Sequence, residues 1–263
     1  KWERVLRPLG FTFWQAGLST LLTLAVGLPA AYIFARFEFP GKRLLRVLTT
    51  LPFILPTVVV AASFNALLGP RGWLNLLLMN AFGLETPPIQ ILNTLGAILL
   101  AHVFYNTTVV IRVVGSALAQ LDPRLEQAAR VLGASPLRTL REVTLPLLKP
   151  ALLSSALLVF LFDFTSFGVV LLLGGPRYAT LEVEIYIQAL QMLNLPLAGL
   201  LSAVQLACTL AISVLNSRLG SRRAVPLAPR LRGEGTRRVK TWRERLLVGG
   251  LVVLLAALLV SRH

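Results

Sequence analysis

The sequence is poor in the residues that most soluble chemistry relies on. Its one cysteine, Cys208, can close no internal disulfide and has no companion for a thiolate zinc site. Two histidines, His102 and His263, stand far apart along the chain. Charged residues make up 14% of 263 positions, where a soluble chain carries about a quarter. These shortages exclude a disordered chain, a coiled coil, a collagen-like repeat and a cysteine-stapled secreted domain. No G-x-x-x-x-G-K-[ST] run occurs; Gly41-Lys42 is followed by Arg43 and lacks the upstream glycine. No Ser/His/Asp arrangement or nucleophile elbow is present either, so the chain reads as non-enzymatic.

What the sequence has in excess is apolar. Hydrophobic residues reach 56%, and mean hydropathy is +0.74. Residues 8–35, 47–70, 86–111 and 185–217 contain no Asp, Glu, Lys or Arg. Each exceeds the roughly 20 residues that a helix needs to cross a bilayer. Residues 150–176 are interrupted only by Asp163, and 246–261 form a shorter aliphatic run. We therefore expect an all-α, polytopic helical bundle with five spans and a sixth. Continuous runs, rather than period-two alternation, argue against a membrane barrel. Pro29, Pro52 and Pro56 fall inside spans and should bend them, which favours a bundle enclosing a path over a plain anchor. Gly72–Gly83 is apolar but too short to cross, and reads as a helix at the interface.

The net charge of +15 comes from 26 basic and 11 acidic residues. The basic residues sit between the apolar runs rather than on one patch, so we read them as membrane-flanking and exclude nucleic acid as a partner. Arg36, Lys42, Arg43 and Arg46 follow the first run. Arg124, Arg130, Arg138, Arg141 and Lys149 lie between the third and fourth, and ten Lys/Arg crowd into Arg218–Arg245. The alternate loops hold only Arg71 and Arg177, so the basic loops face the cytoplasm. Lys1, Arg4 and Arg7 run against this pattern and are outvoted by the internal loops.

One cytoplasmic segment, beginning at Leu121, is not generic. Asp122 is a good N-cap and Pro123 suits the first turn. Leu125, Ala128, Ala129 and Leu132 recur at i, i+3, i+4 and i+7, one helix face. Gly133 supplies a left-handed stop. Ser135-Pro136 restarts a second helix that should run to Pro146. Such an amphipathic helix could dock a protein or lie on lipid headgroups. The residue pattern resembles the coupling loop of membrane subunits of binding-protein-dependent ABC importers. Gln127-Ala128-Ala129, then Gly133, then Val143-Thr144-Leu145-Pro146 match the spacing EAA, three residues, Gly, nine residues, I-x-L-P. Glutamine replaces the usual glutamate at Gln127, and the neighbouring Glu126 is expected to substitute for it. The segments from Phe39, Ala101 and Phe164 resemble the ferric-iron and thiamine branch of these permeases.

That resemblance implies an inner-membrane translocation subunit. It implies partners as well: a dimer of cytoplasmic ABC ATPase subunits that binds ATP and magnesium, a periplasmic or extracellular substrate-binding protein, and a second permease half. This chain would hold no cofactor of its own. Coupling would fall to Glu126, Gln127, Ala128, Ala129, Gly133, Val143, Leu145 and Pro146. We expect residues 1–218 to form the membrane domain, with a coupling loop at 121–149. Residues 219–244 would be a basic cytoplasmic linker, and 245–263 the first span of a truncated second half. Inside the bilayer, His102, Tyr105 and Asn106 share one helix face, and Asp163 is the lone acidic residue in an apolar run. These four either line the translocation path or make interhelical hydrogen bonds; we favour bonds for His102 and Asn106 and the path for Asp163. A single carboxylate with one histidine is too few ligands for a metal site. An ion-coupled secondary transporter is the rival function.

Overall fold

The computed structural model describes residues 3–175, 177–221, 237–238 and 242–260. It is a helical bundle organised around α1 (Glu3–Arg36). Glu3 in its first turn and Arg36 in its last complement the helix dipole. At 34 residues α1 is about 51 Å long. It lies along α5 (Leu95–Gln120), with α8 (Leu145–Phe164) packed against both. The α1–α5 seam is made of small residues. Ala30 and Ala31 are fully buried beside Ile111 and Val110, and a Cβ built on Gly27 would stand 2.7 Å from the Cβ of Val110. In a bilayer, where lipid competes for apolar contact, such close backbone approach is what holds helices together.

The second apolar run does not cross as one rod. A two-residue strand, β1 (Phe37–Glu38), and a turn at Gly41 lead into α2 (Lys42–Ile54). The chain then bends by 110° before α3 (Thr57–Leu68) and α4 (Trp73–Phe82). Pro56 is the cause: it forces Leu55 into extended geometry, at φ −75° and ψ 141°. The expected short helix at 72–83 forms as α4, stopped by Gly83 in left-handed geometry at φ 64°. The fully buried Asn75 ties α4 to the next loop. Its amide donates to the Ile89 carbonyl and accepts from the Ile89 N–H, both at 2.8 Å.

Three further boundaries differ from expectation. The third span is α5 at 95–120 rather than 86–111, because Pro87-Pro88 keeps the preceding loop out of a helix; Arg112 consequently lies within the span. The fourth run breaks at 165–167 between α8 and α9 (Gly168–Leu173). The fifth divides into α10 (Leu181–Tyr186), a wide π-type turn (Ile187–Gln191) and α11 (Leu195–Ser221). Among the described residues, four unbroken helices are long and apolar enough to cross a membrane, or five with the bent α2–α3 pair. The run expected as a sixth span lies in helix α12 (Trp242–Val260), which is not among these four or five, and its Val248 and Leu251 pack against Ile33, Phe34 and Ile111. Most of the expected linker at 219–244 lies outside the described residues, except that α11 continues to Ser221, β2 (Arg237–Arg238) pairs with β1 and α12 already begins at Trp242.

The two interior breaks meet. A Cβ on Gly168, the first residue of α9, would fall 2.4 Å from Oγ1 of Thr57, the first residue of α3.

Filling the seam should destabilise the bundle. We expect Gly27→Leu to cost about 1–3 kcal/mol through overpacking against Val110. Gly10→Leu, where a Cβ meets nothing within 4 Å, should be neutral. Thermal midpoints of detergent-solubilised variants check this, and equal midpoints would refute the seam.

Candidate functional site

The cytoplasmic loop folds as α6 (Pro123–Val131) and α7 (Pro136–Thr139). The local grammar is physical. Asp122 caps α6 by accepting from the Arg124 N–H at 2.9 Å. Gly133 takes φ 86°, and the Ala134 N–H then reaches back to the Ala129 carbonyl at 3.0 Å. Ser135 starts α7, accepting from the Arg138 N–H at 3.3 Å. The second helix, however, does not end at Pro146. It passes through a π-type turn, Leu140–Thr144, directly into α8. Proline at 146 offers no N–H and crowds the carbonyl four residues back, and the wider turn absorbs both defects. Pro136–Phe164 is thus one continuous rod from loop to membrane.

None of the residues of α6 is buried. Gln127 and Ala128 are exposed and Ala129 is half-buried. Leu132, the last residue of the predicted face, is 88% exposed, and Val131 at 86% extends the free apolar surface beyond that face. Val143 is half-buried, while Leu145 and Pro146 are exposed at the head of α8.

Glu126 behaves differently from expectation. It does not stand in for Gln127 on the exposed side. Its Oε1 accepts from Arg36 Nη2 at 2.5 Å and from Thr144 Oγ1 at 3.0 Å, in a half-buried position. One carboxylate therefore joins the end of α1, the middle of α6 and the π-type turn before α8. No periodicity in the sequence pairs residues 36, 126 and 144.

A second polar constellation lies inside the bundle, where α8 breaks. Asp163 is 0% exposed. Its Oδ1 accepts from Asn106 Nδ2 at 2.7 Å and lies 3.3 Å from His102 Nδ1. The same ring nitrogen is 3.0 Å from Ser19 Oγ, and Nε2 is 2.8 Å from Ser166 Oγ. Gln15 Nε2 donates to the Asp163 carbonyl at 2.8 Å. His102 thereby bridges α1, α5 and the 165–167 break. Tyr105, on the predicted face, is half-buried with its ring packed against the apolar cluster of Phe64, Phe104 and Val170. Ser19, Gln15 and Ser166 carry no signal in the sequence, being ordinary polar residues in apolar runs. The described residues hold no group of three or more His, Cys, Asp or Glu able to grip a metal ion.

At the opposite end of the bundle from the loop, α3, the loop before α5, and α9 enclose a cavity of about 550 Å³ lined by Asn65, Pro70, Gln90, Asn93 and Leu172. An adjoining space of about 600 Å³ shares Asn65 and Pro70 and includes Arg71.

The family described as the binding-protein-dependent transport system inner membrane component matches residues 8–221. The chain belongs to this family. It is similar to a putative 2-aminoethylphosphonate transport system permease protein of Salmonella typhi, 32% identical over 86% of this chain and 78% of that protein. A sulfate transport system permease protein of Salmonella typhimurium is 33% identical over 80% of this chain and 76% of its own length. A thiamine transport system permease protein of Escherichia coli is 35% identical over 89% of this chain, which spans 42% of that relative. The fold matches a bacterial ABC transporter that imports alginate, with TM-score 0.69 and 19% identity over 84% of this chain and 80% of that one. It also matches the MetNI methionine ABC transporter, with TM-score 0.58 and 17% identity over 83% and 95% of the two chains. The protein is thus a multi-pass inner-membrane permease subunit of ABC importer type.

Two outcomes test the geometry. A double-mutant cycle between Arg36→Ala and Glu126→Ala should give a coupling energy of about 1–3 kcal/mol in thermal unfolding; a value near zero would deny the tie. Asp163→Ala strands the Asn106 donor and should cost about 1–3 kcal/mol. Asp163→Asn keeps an acceptor for Asn106 and should fold almost normally. Full transport by Asp163→Asn marks the carboxylate as a packing group, and loss of transport without loss of stability places its charge in the path.

Proposed function

We propose that this chain is the translocation subunit of an ATP-driven importer, and that residues 121–149 dock on a separate ATPase and couple its hydrolysis to solute import. The observation that carries the reading is the loop itself. It is a capped, exposed helix with an apolar, small-residue face, fixed at one side to α1 by Glu126 and continuous at the other with α8. A helix held this way cannot move alone, so a pull on it is transmitted to two spans.

Within this proposal the exposed contact is made by Gln127, Ala128, Leu132 and Gly133, with Ala129 at the edge. Val143, Leu145 and Pro146 shape the rod that follows. Glu126 acts inward. ATP and magnesium belong to the partner ATPase. Solute arrives from a binding protein at the outer cavity around Asn65 and Asn93. The cargo is a small polar solute. Thiamine is kept as the specific candidate because a thiamine permease is among the relatives, and ferric iron rests on the segment resemblance alone.

Ala128→Asp and Gly133→Asp should reduce co-purification of the ATPase at least ten-fold while the thermal midpoint of the membrane bundle shifts little, since α6 buries no residue. ATPase retained at the normal ratio would overturn the docking assignment. Uptake into vesicles that contain the permease without any ATPase would establish the secondary-transporter alternative instead.

A further inference from the structure

At the cytoplasmic end of the bundle, the last turn of α1, the first half of α2 and the end of α5 surround a cavity of about 330 Å³. Phe34, Ile111 and Gly115 form its apolar wall, and Arg46, Arg112 and Ser116 its polar one. This volume is at the lower end of the roughly 300–1,000 Å³ usual for small-molecule sites. Arg112 and Ser116 are four residues apart on α5 and hence on one face. Arg46 comes from the facing helix α2. Among the described residues neither guanidinium is in an ion pair, and no carboxylate lines the cavity.

Two exposed arginines lining one cavity with no carboxylate give it a positive potential that favours an anion. Two neighbouring cations on the same helices are already engaged: Arg36 by Glu126, and Lys42 Nζ by Glu38 Oε1 and the Phe37 carbonyl, both at 2.7 Å. Arg46 and Arg112 are the two that line the cavity. They also sit at a telling depth. Arg46 is one turn into α2, and Arg112 is eight residues, about 12 Å, short of the end of α5. In a bilayer this is where headgroup phosphates meet the first methylenes. Arginine forks match phosphate oxygens in two-point fashion, and basic pockets between spans on the cytoplasmic side hold acidic headgroups.

We propose that Arg46, Arg112 and Ser116 bind a phosphate group, and that its source is the headgroup of an anionic membrane lipid whose chains run along Phe34 and Ile111. The lipid would pin α2 to α5 beside the α1–α6 tie without using the coupling face. The proposal is independent of the ATPase-docking reading.

The test uses the full chain purified in its complex and reconstituted in vesicles of phosphatidylcholine with 30 mol% phosphatidylglycerol, about the scale of acidic lipid that gives such membranes their surface potential. Lipid retained after detergent extraction is counted by native mass spectrometry. Arg46→Gln and Arg112→Gln should each lower phosphatidylglycerol retention about five-fold, and the double variant about thirty-fold. Arg43→Gln, on α2 but outside the cavity lining, should leave it unchanged. Millimolar inorganic phosphate is the second arm. If phosphate does not displace the lipid, the headgroup is the ligand; displacement that is lost in the double variant supports the phosphate site with a free anion as its source and overturns the lipid assignment. Retention equal in wild type and double variant, with no phosphate binding to either, overturns the site altogether. Because both variants are read against the thermal midpoint in pure phosphatidylcholine, a folding defect is distinguished from loss of ligand.

Discussion

The close seam between α1 and α5 is the constraint on which the other features depend. Gly27 and the buried alanines bring α1 near enough for short polar side chains to reach across. Ser19 can meet His102 only because the backbones are close, and the same proximity lets Gln15 reach the carbonyl of Asp163. Farther towards the outer end, Thr12 Oγ1 accepts from the Leu181 N–H at 2.9 Å. At the inner end Arg36 meets Glu126. From Thr12 to Arg36 is 24 residues, about 36 Å of one helix, carrying ties to α10, α8, α5 and α6 in turn.

This arrangement explains why the helix breaks are tolerable. In hydrocarbon, a freed backbone or side-chain polar group must find a partner inside the protein. The break at 165–167 places Ser166 against His102, and the polar constellation of Asp163 and Asn106 lies directly beside it. Breaking a span costs least where other helices already supply donors and acceptors. The second break, at Leu55-Pro56, abuts the first through Thr57 and Gly168. Two weak places thus share one supported neighbourhood, while the seam and the loop rod on the cytoplasmic side remain unbroken.

Sequence reasoning recovered what local chemistry controls. Caps at Asp122 and Ser135 and the left-handed stop at Gly133 are determined by a few adjacent residues, and all three formed as expected. The all-α bundle followed from continuous apolar runs. Span boundaries were less legible, because hydropathy marks where charge is absent and not where a proline halts a helix; 86–111 became 95–120 for this reason. The placement of Glu126 was illegible, since its partners at 36 and 144 come together only through the tertiary fold. His102 and Asn106 were readable as a helical pair, but their convergence with Asp163, 57 residues beyond Asn106, required the α5–α8 packing. Tyr105 shows the limit of periodicity: an i, i+3 relation is compatible with two neighbouring surfaces, and the aromatic ring took the apolar one.

The inward turn of Glu126 also bears on how force would pass through the loop. A coupling helix that presented its acidic group to a partner would be joined to its own spans only by chain ends. Here the carboxylate is half-buried between Arg36 and Thr144, so withdrawing it would leave a cation in a site with 10% side-chain exposure. Breaking such a hydrogen-bonded pair costs more than parting an exposed ion pair, which is worth at most about 1 kcal/mol. The α6 helix, α1 and α8 are therefore displaced together more cheaply than separately. On the proposed docking reading, with the exposed face left small and apolar, adhesion to a partner would fall to Ala128 and Leu132 and rigidity within the chain to Glu126, so that the two could vary independently.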